Sequence, residues 1–343
     1  MYSFTNDYSE GAHPRVLELL NKYNLEQNAG YGEDIHSENA KNHIKKLMNR
    51  KDVDIHFIPG GTQTNLIVIS SFLRPHQAVI SPETGHIHGH ETGAIEATGH
   101  KIITVSGKDG KLTPEGIKKV VEFHKEEYTV KPKMVYISNS TELGTIYTKE
   151  ELRAISKVCK EYELILFLDG ARLASALTCS SNDISFKDLS ELVDVFYIGG
   201  TKNGALLGEA LVIVKEELKE DFRYFIKQRG AMLAKGFVMG IQFEALFQDD
   251  LYFELGKHAN EMSNKIAGII KSKGFAFQVE PCSNQLFPIL PDSLLEELEK
   301  EFSFIRNEKI DDDHTAIRLV TSWATTNESV EALGKFFENV NNK

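Results

Sequence analysis

Leu164-Ile165-Leu166-Phe167-Leu168-Asp169-Gly170-Ala171-Arg172 sets the fold class. Its apolar residues follow one another without alternation, as in a strand buried on both faces. Such strands belong to sheets with helices packed on either side. The run ends at Asp169, so a carboxylate emerges at the strand's carboxyl end, where open α/β sheets gather ligands.

Working outward, the same pattern repeats. Downstream, Asp194 to Ile198 reads as a strand ending at Gly199-Gly200-Thr201-Lys202-Asn203-Gly204, and Glu209 to Val214 as another. Upstream, Lys133 to Ser138 is an apolar strand. Thr148 to Glu151 is a capping box opening a helix to about Glu161, and Thr113-Pro114 starts a helix with Thr as cap. Lys101 to Val105, Gln77 to Ser81 and Val53 to Pro59 read as strands. The last runs into Gly60-Gly61 and a helix from Thr62 to Leu73. Strand, helix and strand with short loops predict a largely parallel sheet. After about Val238 the texture changes. A helical stretch covers Gly240 to Lys273, followed by strands at Phe275 to Val279 and Gln285 to Leu290. A helix from Pro291 to Phe302, a strand from Ala316 to Val320 and a helix to Asn339 complete it. The expected organisation is a large domain over 15–240 and a smaller α/β domain over 241–343 together with 1–14.

The 343 residues are too many for one small core and suit such a pair. A net charge of -11 argues against nucleic acid or an anionic membrane as partner, because phosphate binding needs local cation. Cys159, Cys179 and Cys282 form neither a zinc spacing nor a disulfide framework, which points to a reducing compartment. The residues from Met1 to Asp7 have neither the basic nor the apolar region of a signal peptide. The longest apolar run, near Leu66 to Phe72, is too short to span a bilayer. A soluble cytoplasmic protein is expected.

Three segments carry chemistry. In Pro59-Gly60-Gly61-Thr62-Gln63-Thr64-Asn65, paired glycines let backbone N–H groups approach an anion at a helix N-terminus. The plainer alternative is a tight turn. Asp169 after a buried strand can hold a pyridinium nitrogen protonated, or simply cap the next segment. Lys202 follows a buried strand among small residues, where desolvation and nearby cations free its lone pair. Otherwise it is a surface lysine in a glycine-rich loop.

Phosphate turn, then Asp169, then Lys202, each at a strand end, is the order of fold-type-I pyridoxal-phosphate enzymes. The sequence resembles the threonine aldolases within the β-eliminating lyases. The resemblance rests on Tyr31-Gly32-Glu33-Asp34, Pro59 to Asn65, Gly85-His86-Ile87, Asp169 to Leu173, Thr201-Lys202-Asn203-Gly204 and Ile317-Arg318-Leu319-Val320-Thr321, across nearly the whole chain. It implies pyridoxal 5'-phosphate as cofactor and Lys202 as the residue that carries it as a Schiff base. Asp169 then pairs with the ring nitrogen, and Gly60, Gly61, Thr62 and Thr201 bind the phosphate. His86 stacks on the ring and serves as a base. Arg172 and Arg318 lie near the cofactor oxygen and the substrate carboxylate. Tyr31 reaches a neighbouring subunit's site in a homodimer or homotetramer.

The chain departs from the family pattern in places. Thr5-Asn6-Asp7 replaces an Arg-Ser-Asp stretch, so the contact to the substrate carboxylate passes to Asn6. Asn139-Ser140-Thr141-Glu142 replaces a stretch holding a second histidine. His86, Glu142 or a water between them are then the candidate bases for the substrate hydroxyl. The implied reaction is cleavage of L-threonine or L-allo-threonine to glycine and an aldehyde, with a place in glycine formation. Another pyridoxal-phosphate lyase or an aminotransferase would use the same Lys202 and Asp169. A third reading, a metal-dependent hydrolase, takes His86, His88 and His90, which face one way if the run is a strand. No carboxylate bridge or fourth ligand accompanies them, and no metal is expected.

Overall fold

In the computed structural model, which describes residues 2–340, Ile165–Asp169 is the middle strand of a seven-stranded sheet. After a two-residue strand β1 (Tyr2–Ser3), the sheet takes β2 (Asp54–Ile58), β3 (Gln77–Pro82), β4 (Lys101–Val105), β5 (Lys131–Ser138), β6 (Ile165–Asp169), β7 (Val195–Gly199) and β8 (Glu209–Ile213). Their order is β2-β8-β7-β6-β5-β3-β4. The pairs from β7 through β4 are parallel, whereas β8 runs antiparallel to both β2 and β7. The connection from β7 to β8 turns straight back without a crossover helix, which forces antiparallel pairing. Glu209, the first residue of β8, therefore arrives at the edge where the other strands end, in register with Ile58 and Gly199.

Every residue of β6, β7 and β8 is buried. Alternate side chains feed two apolar clusters. Leu166, Leu168 and Ile198 pack with Ile155 and Phe243 on one face. Phe167, Tyr197 and Leu211 pack with Ile67 and Ile69 on the other. This explains the absence of alternation in the sequence, since both faces of the sheet are covered.

The later part of the chain forms a second sheet from β9 (Gln285–Leu286), β10 (Ile289–Pro291), β12 (Ile305–Lys309) and β13 (His314–Val320), with β11 (Phe302–Ser303) pairing parallel to β1. Its apolar cluster includes Phe4 beside Met262, Ile266, Leu286, Ile317 and Phe337. Phe4 is held on both sides: its N–H donates to Ser303 O at 2.8 Å, and its carbonyl accepts from Val320 N at 2.8 Å.

Several expected boundaries move. The stretch expected as helical from Gly240 to Lys273 is two helices, Phe237–Phe247 and Leu251–Ser272, separated at Asp250, whose φ of 58° is left-handed. Aspartate tolerates that conformation better than most residues. Phe275 to Val279 is no strand and makes a single bridge, Phe277 to Pro288. Gln285 to Leu290 is interrupted between β9 and β10, and the helix expected from Pro291 to Phe302 spans only Asp292–Leu298.

Candidate active site

A cavity of about 340 Å³ opens over the carboxyl ends of β2, β5, β6 and β7 and the start of β8. Gly60, Gly61, Thr62, His86, Glu142, Asp169, Arg172, Thr201 and Lys202 all line it. Residues far apart in sequence meet there because parallel strands end on one edge.

On the cavity wall, the helix Gly61–Phe72 begins with no side-chain cap. Its first N–H groups have no partner within the helix and suit an anion such as a phosphate. Asp169, also on the wall, is 4 % exposed. Its Oδ1 accepts from Ala171 N at 2.9 Å, and its Oδ2 accepts from the Tyr136 hydroxyl at 2.7 Å and Asn65 Nδ2 at 3.3 Å. The turn after it packs so closely on β7 that a Cβ on Gly199 would meet Ala171 O at 2.3 Å. Only glycine fits there.

His86 starts a single helical turn, His86–Gly89, so the run is not the strand that the alternative metal reading required. His88 and His90 are exposed. Among the described residues no group of three or more His, Cys, Asp or Glu is arranged to hold a metal. His86 N–H donates to Glu142 Oε1 at 2.8 Å, and its Nδ1 lies 2.8 Å from Glu91 Oε1. Asn65 Nδ2 donates to the same Glu91 oxygen at 2.7 Å. A carboxylate at Nδ1 places the ring proton there and leaves Nε2 with its lone pair, the form a general base needs.

Glu142 Oε1 also accepts from Ser138 Oγ at 2.7 Å, while its Oε2 has no partner. Burial pushes the Glu142 carboxyl above its usual range; the Ser138 hydroxyl opposes the rise and the Asp169 charge adds to it. Lys202 is pulled below the ordinary lysine range by burial and then by Arg172, against Asp7, Asp169 and Glu209. Thr201 Oγ1 donates to Glu209 Oε1 at 2.9 Å and accepts from Gly208 N at 3.1 Å.

Arg172 is gripped by Asp7, Nε to Oδ2 at 2.7 Å and Nη2 to Oδ1 at 3.0 Å, and Asn284 Nδ2 donates to the same carboxylate at 2.9 Å. Asp7 is 1 % exposed. Burial alone would raise its carboxyl, but Arg172 and then Lys202 hold it below the usual range. Asp7→Ala strands a buried guanidinium, so a loss of roughly 3–5 kcal/mol in unfolding free energy is expected. Denaturant unfolding checks this, and a loss within 1 kcal/mol of zero would refute it.

Asn6, Tyr31 and Arg318 do not line the cavity. Asn6 Oδ1 is occupied locally by Tyr8 N at 2.9 Å and Ser9 Oγ at 3.0 Å, and its neighbour Asp7 makes the inward contact instead. Tyr31 is 48% exposed and borders a different, smaller pocket. Arg318 Nη2 donates to Thr5 O at 3.2 Å, and its Nε is buried without a partner. No carboxylate pairs with Arg318 among the described residues, so the structural ion pair that would otherwise explain it is missing. The sequence assigns no role to Asp7, Asn65, Glu91, Tyr136 or Glu209, although Asn65 and Asp7 fall within its motifs. The one local signal was Glu209, an acidic residue opening an otherwise apolar strand.

The model of the β-eliminating lyase family matches residues 13–328. A low specificity L-threonine aldolase from a Pseudomonas species is 31% identical over 342 residues, covering 96% of this chain and 95% of that protein. Among solved structures, a threonine aldolase of Leishmania major superposes with a TM-score of 0.98 at 49% identity, over 99% of both chains. A Thermus thermophilus aspartate aminotransferase variant shares the fold, with a TM-score of 0.75 at 14% identity over 99% of this chain and 91% of that one.

Proposed function

The chain belongs to the β-eliminating lyase family and, within it, to the threonine aldolases, and on that premise we propose that it cleaves L-threonine and L-allo-threonine to glycine and acetaldehyde. The observation that carries this reading is the meeting of Lys202, Asp169 and an uncapped helix N-terminus in one cavity. Pyridoxal 5'-phosphate is the cofactor, and when bound its ring draws electrons out of bonds to the substrate α-carbon.

The residues divide the work. Lys202 supplies the amine that holds the cofactor. Asp169 keeps a ring nitrogen protonated, its remaining oxygen valences filled by Tyr136, Asn65 and Ala171. Gly60, Gly61, Thr62 and Thr201 hold the phosphate. His86 would stack on the ring, and its Nε2 would take the β-hydroxyl proton while Glu91 steadies Nδ1. Arg172 and Arg318 would lie near the cofactor oxygen and the α-carboxylate. The unpartnered Arg318 Nε supports that role, because a buried guanidinium without an anion is costly.

Incubating the purified protein with L-threonine tests the proposal directly. Glycine and acetaldehyde are expected; a cofactor-loaded protein yielding neither overturns it, and a keto-acid or elimination product would select a different pyridoxal-phosphate reaction. His86→Phe keeps a ring against the cofactor and removes the base, so turnover should fall roughly a hundredfold to ten-thousandfold with cofactor absorbance unchanged. Undiminished turnover would move the base to Glu142 or water. Arg318→Lys replaces a planar fork by a point charge, and KM for L-threonine is expected to rise about tenfold or more at near-normal melting temperature. A lowered melting temperature with unaltered KM would make Arg318 a structural residue.

We also place the protein in the cytoplasm, in glycine formation, and in a homodimer or homotetramer whose Tyr31 reaches a neighbouring subunit's cavity. The exposure of Tyr31 supports that last point. No helix among the described residues is long and apolar enough to cross a membrane. Residues 241–343 with 1–14 are read as the smaller domain, supported by the apolar cluster joining Phe4 to Ile317 and Phe337.

A further inference from the structure

The Thr201 hydroxyl has one proton to give, and its nearest acceptor is Glu209 Oε1 at 2.9 Å, with Gly208 O at 3.5 Å the longer alternative. Glu209 sits in register between Ile58, which precedes the Gly60-Gly61 turn, and Gly199, which precedes Thr201 and Lys202. Its Oε1 accepts from Thr201 Oγ1 at 2.9 Å and its Oε2 from Gly200 N at 3.1 Å. It also lines the cavity, at 4 % exposure. A buried carboxylate thus stands beside the place that receives a phosphate and takes up a hydroxyl that would otherwise serve it.

We propose that Glu209 is a proton-operated positioning residue that sets the direction of the Thr201 hydroxyl and so couples phosphate binding to the uptake of a proton. As a carboxylate, Glu209 accepts from Thr201 and repels a phosphate by like charge. As a carboxylic acid, it keeps Gly200 N–H on one oxygen and donates from the other to Thr201 Oγ1. That oxygen still accepts from Gly208 N, and its own proton is released from Glu209; the remaining protein acceptor, Gly208 O at 3.5 Å, is at the limit of a hydrogen bond, so a phosphate oxygen is the better partner. The bonds balance in both forms, and the only net change is one proton bound at Glu209.

The surroundings set the pH at which this happens. Burial pushes the Glu209 carboxyl up to about 8, against the pull of Thr201, Lys202 and Gly200 N–H, with Asp169 adding to the rise. Tyr197 of β7 and Tyr252 of the helix Leu251–Ser272 face it as well. Lys202 is the one cation in that group.

The inference rests on the phosphate reading of the Gly60-Gly61-Thr62 turn and is tested with pyridoxine 5'-phosphate. This analogue has no aldehyde, so it forms no bond to Lys202. Its affinity for the cofactor-free full chain is measured by calorimetry from pH 7 to 9, in two buffers of different ionisation enthalpy. Wild-type affinity is expected to fall about tenfold across that range, with about half a proton taken up at pH 8. Glu209→Gln mimics the acid, with its amide donating to Thr201, so its affinity is expected to stay flat and to be about tenfold tighter than wild type at pH 9. Lys202→Ala, followed to pH 10, is expected to keep a fall displaced to higher pH, because the cation that holds the Glu209 carboxyl down is gone. Zero proton uptake by wild type, a Glu209→Gln profile parallel to wild type, or a Lys202→Ala affinity that stays flat to pH 10 each overturns the proposal. The wild-type uptake and the Lys202→Ala profile stand even if Glu209→Gln does not fold. Binding without proton uptake leaves the aldolase reading intact, whereas no binding at any pH defeats both.

Discussion

Lys202→Ala is expected to leave a folded chain with no measurable cleavage of L-threonine and no cofactor that borohydride can fix to it. The lysine amine must be neutral to attack a carbonyl, and burial together with Arg172 lowers the cost of that state. No other lysine lines the cavity, so no second amine can take its place. The fold should survive, because among the described residues Lys202 closes no ion pair, and the loss of its attraction to Asp7, Asp169 and Glu209 is offset in part by relief of its repulsion from Arg172. Turnover, absorbance of the bound cofactor and borohydride reduction followed by peptide mapping check the assignment together. Cofactor still fixed to the variant chain would show that another amine carries it.

Asp169→Asn is expected to have the next largest effect. The substitution preserves size and removes the charge that stabilises a protonated ring nitrogen. Tyr136, Asn65 and Ala171 N–H all donate to this carboxylate, which makes it a pre-aimed acceptor and not a freely solvated acid. Breaking a buried charge pair costs roughly 3–5 kcal/mol, or about a 160- to 4700-fold loss of turnover. The variant should bind cofactor more weakly yet still attach it through Lys202. Turnover within threefold of wild type would take Asp169 out of the mechanism.

The main lines of the fold, and which strand ends meet at the cavity, could be read ahead of the structure, and the reason is local. β6 and β7 are short apolar runs whose ends carry Asp169 and the Gly199 to Lys202 loop, so pattern and position coincide within a few residues. Glu91, Asn65, Asp7 and Glu209 were not legible because each works through a partner distant in sequence. Asp7 meets Arg172 and Asn284 only after the chain has crossed the molecule. The break at Asp250 was missed because helix periodicity continues on both sides of one left-handed residue. The shape of the histidine run was not legible either: alternation over so few residues is shared by a strand and a turn, and only the bond from His90 N–H to His86 O at 2.9 Å makes it one helical turn.

The tie between the chain's two ends bears on the order in which the molecule can be assembled. Domains commonly form from the amino terminus during synthesis, but Tyr2 and Ser3 have no strand to join until Phe302 and Ser303 have left the ribosome. Asp7 can reach Arg172 once the middle of the chain is made, yet Asn284, which locks the same carboxylate, comes much later. The catalytic pocket is therefore among the last parts to set. A chain stopped short of residue 284 would carry Lys202, Asp169 and His86 and still lack the clasp that fixes Arg172.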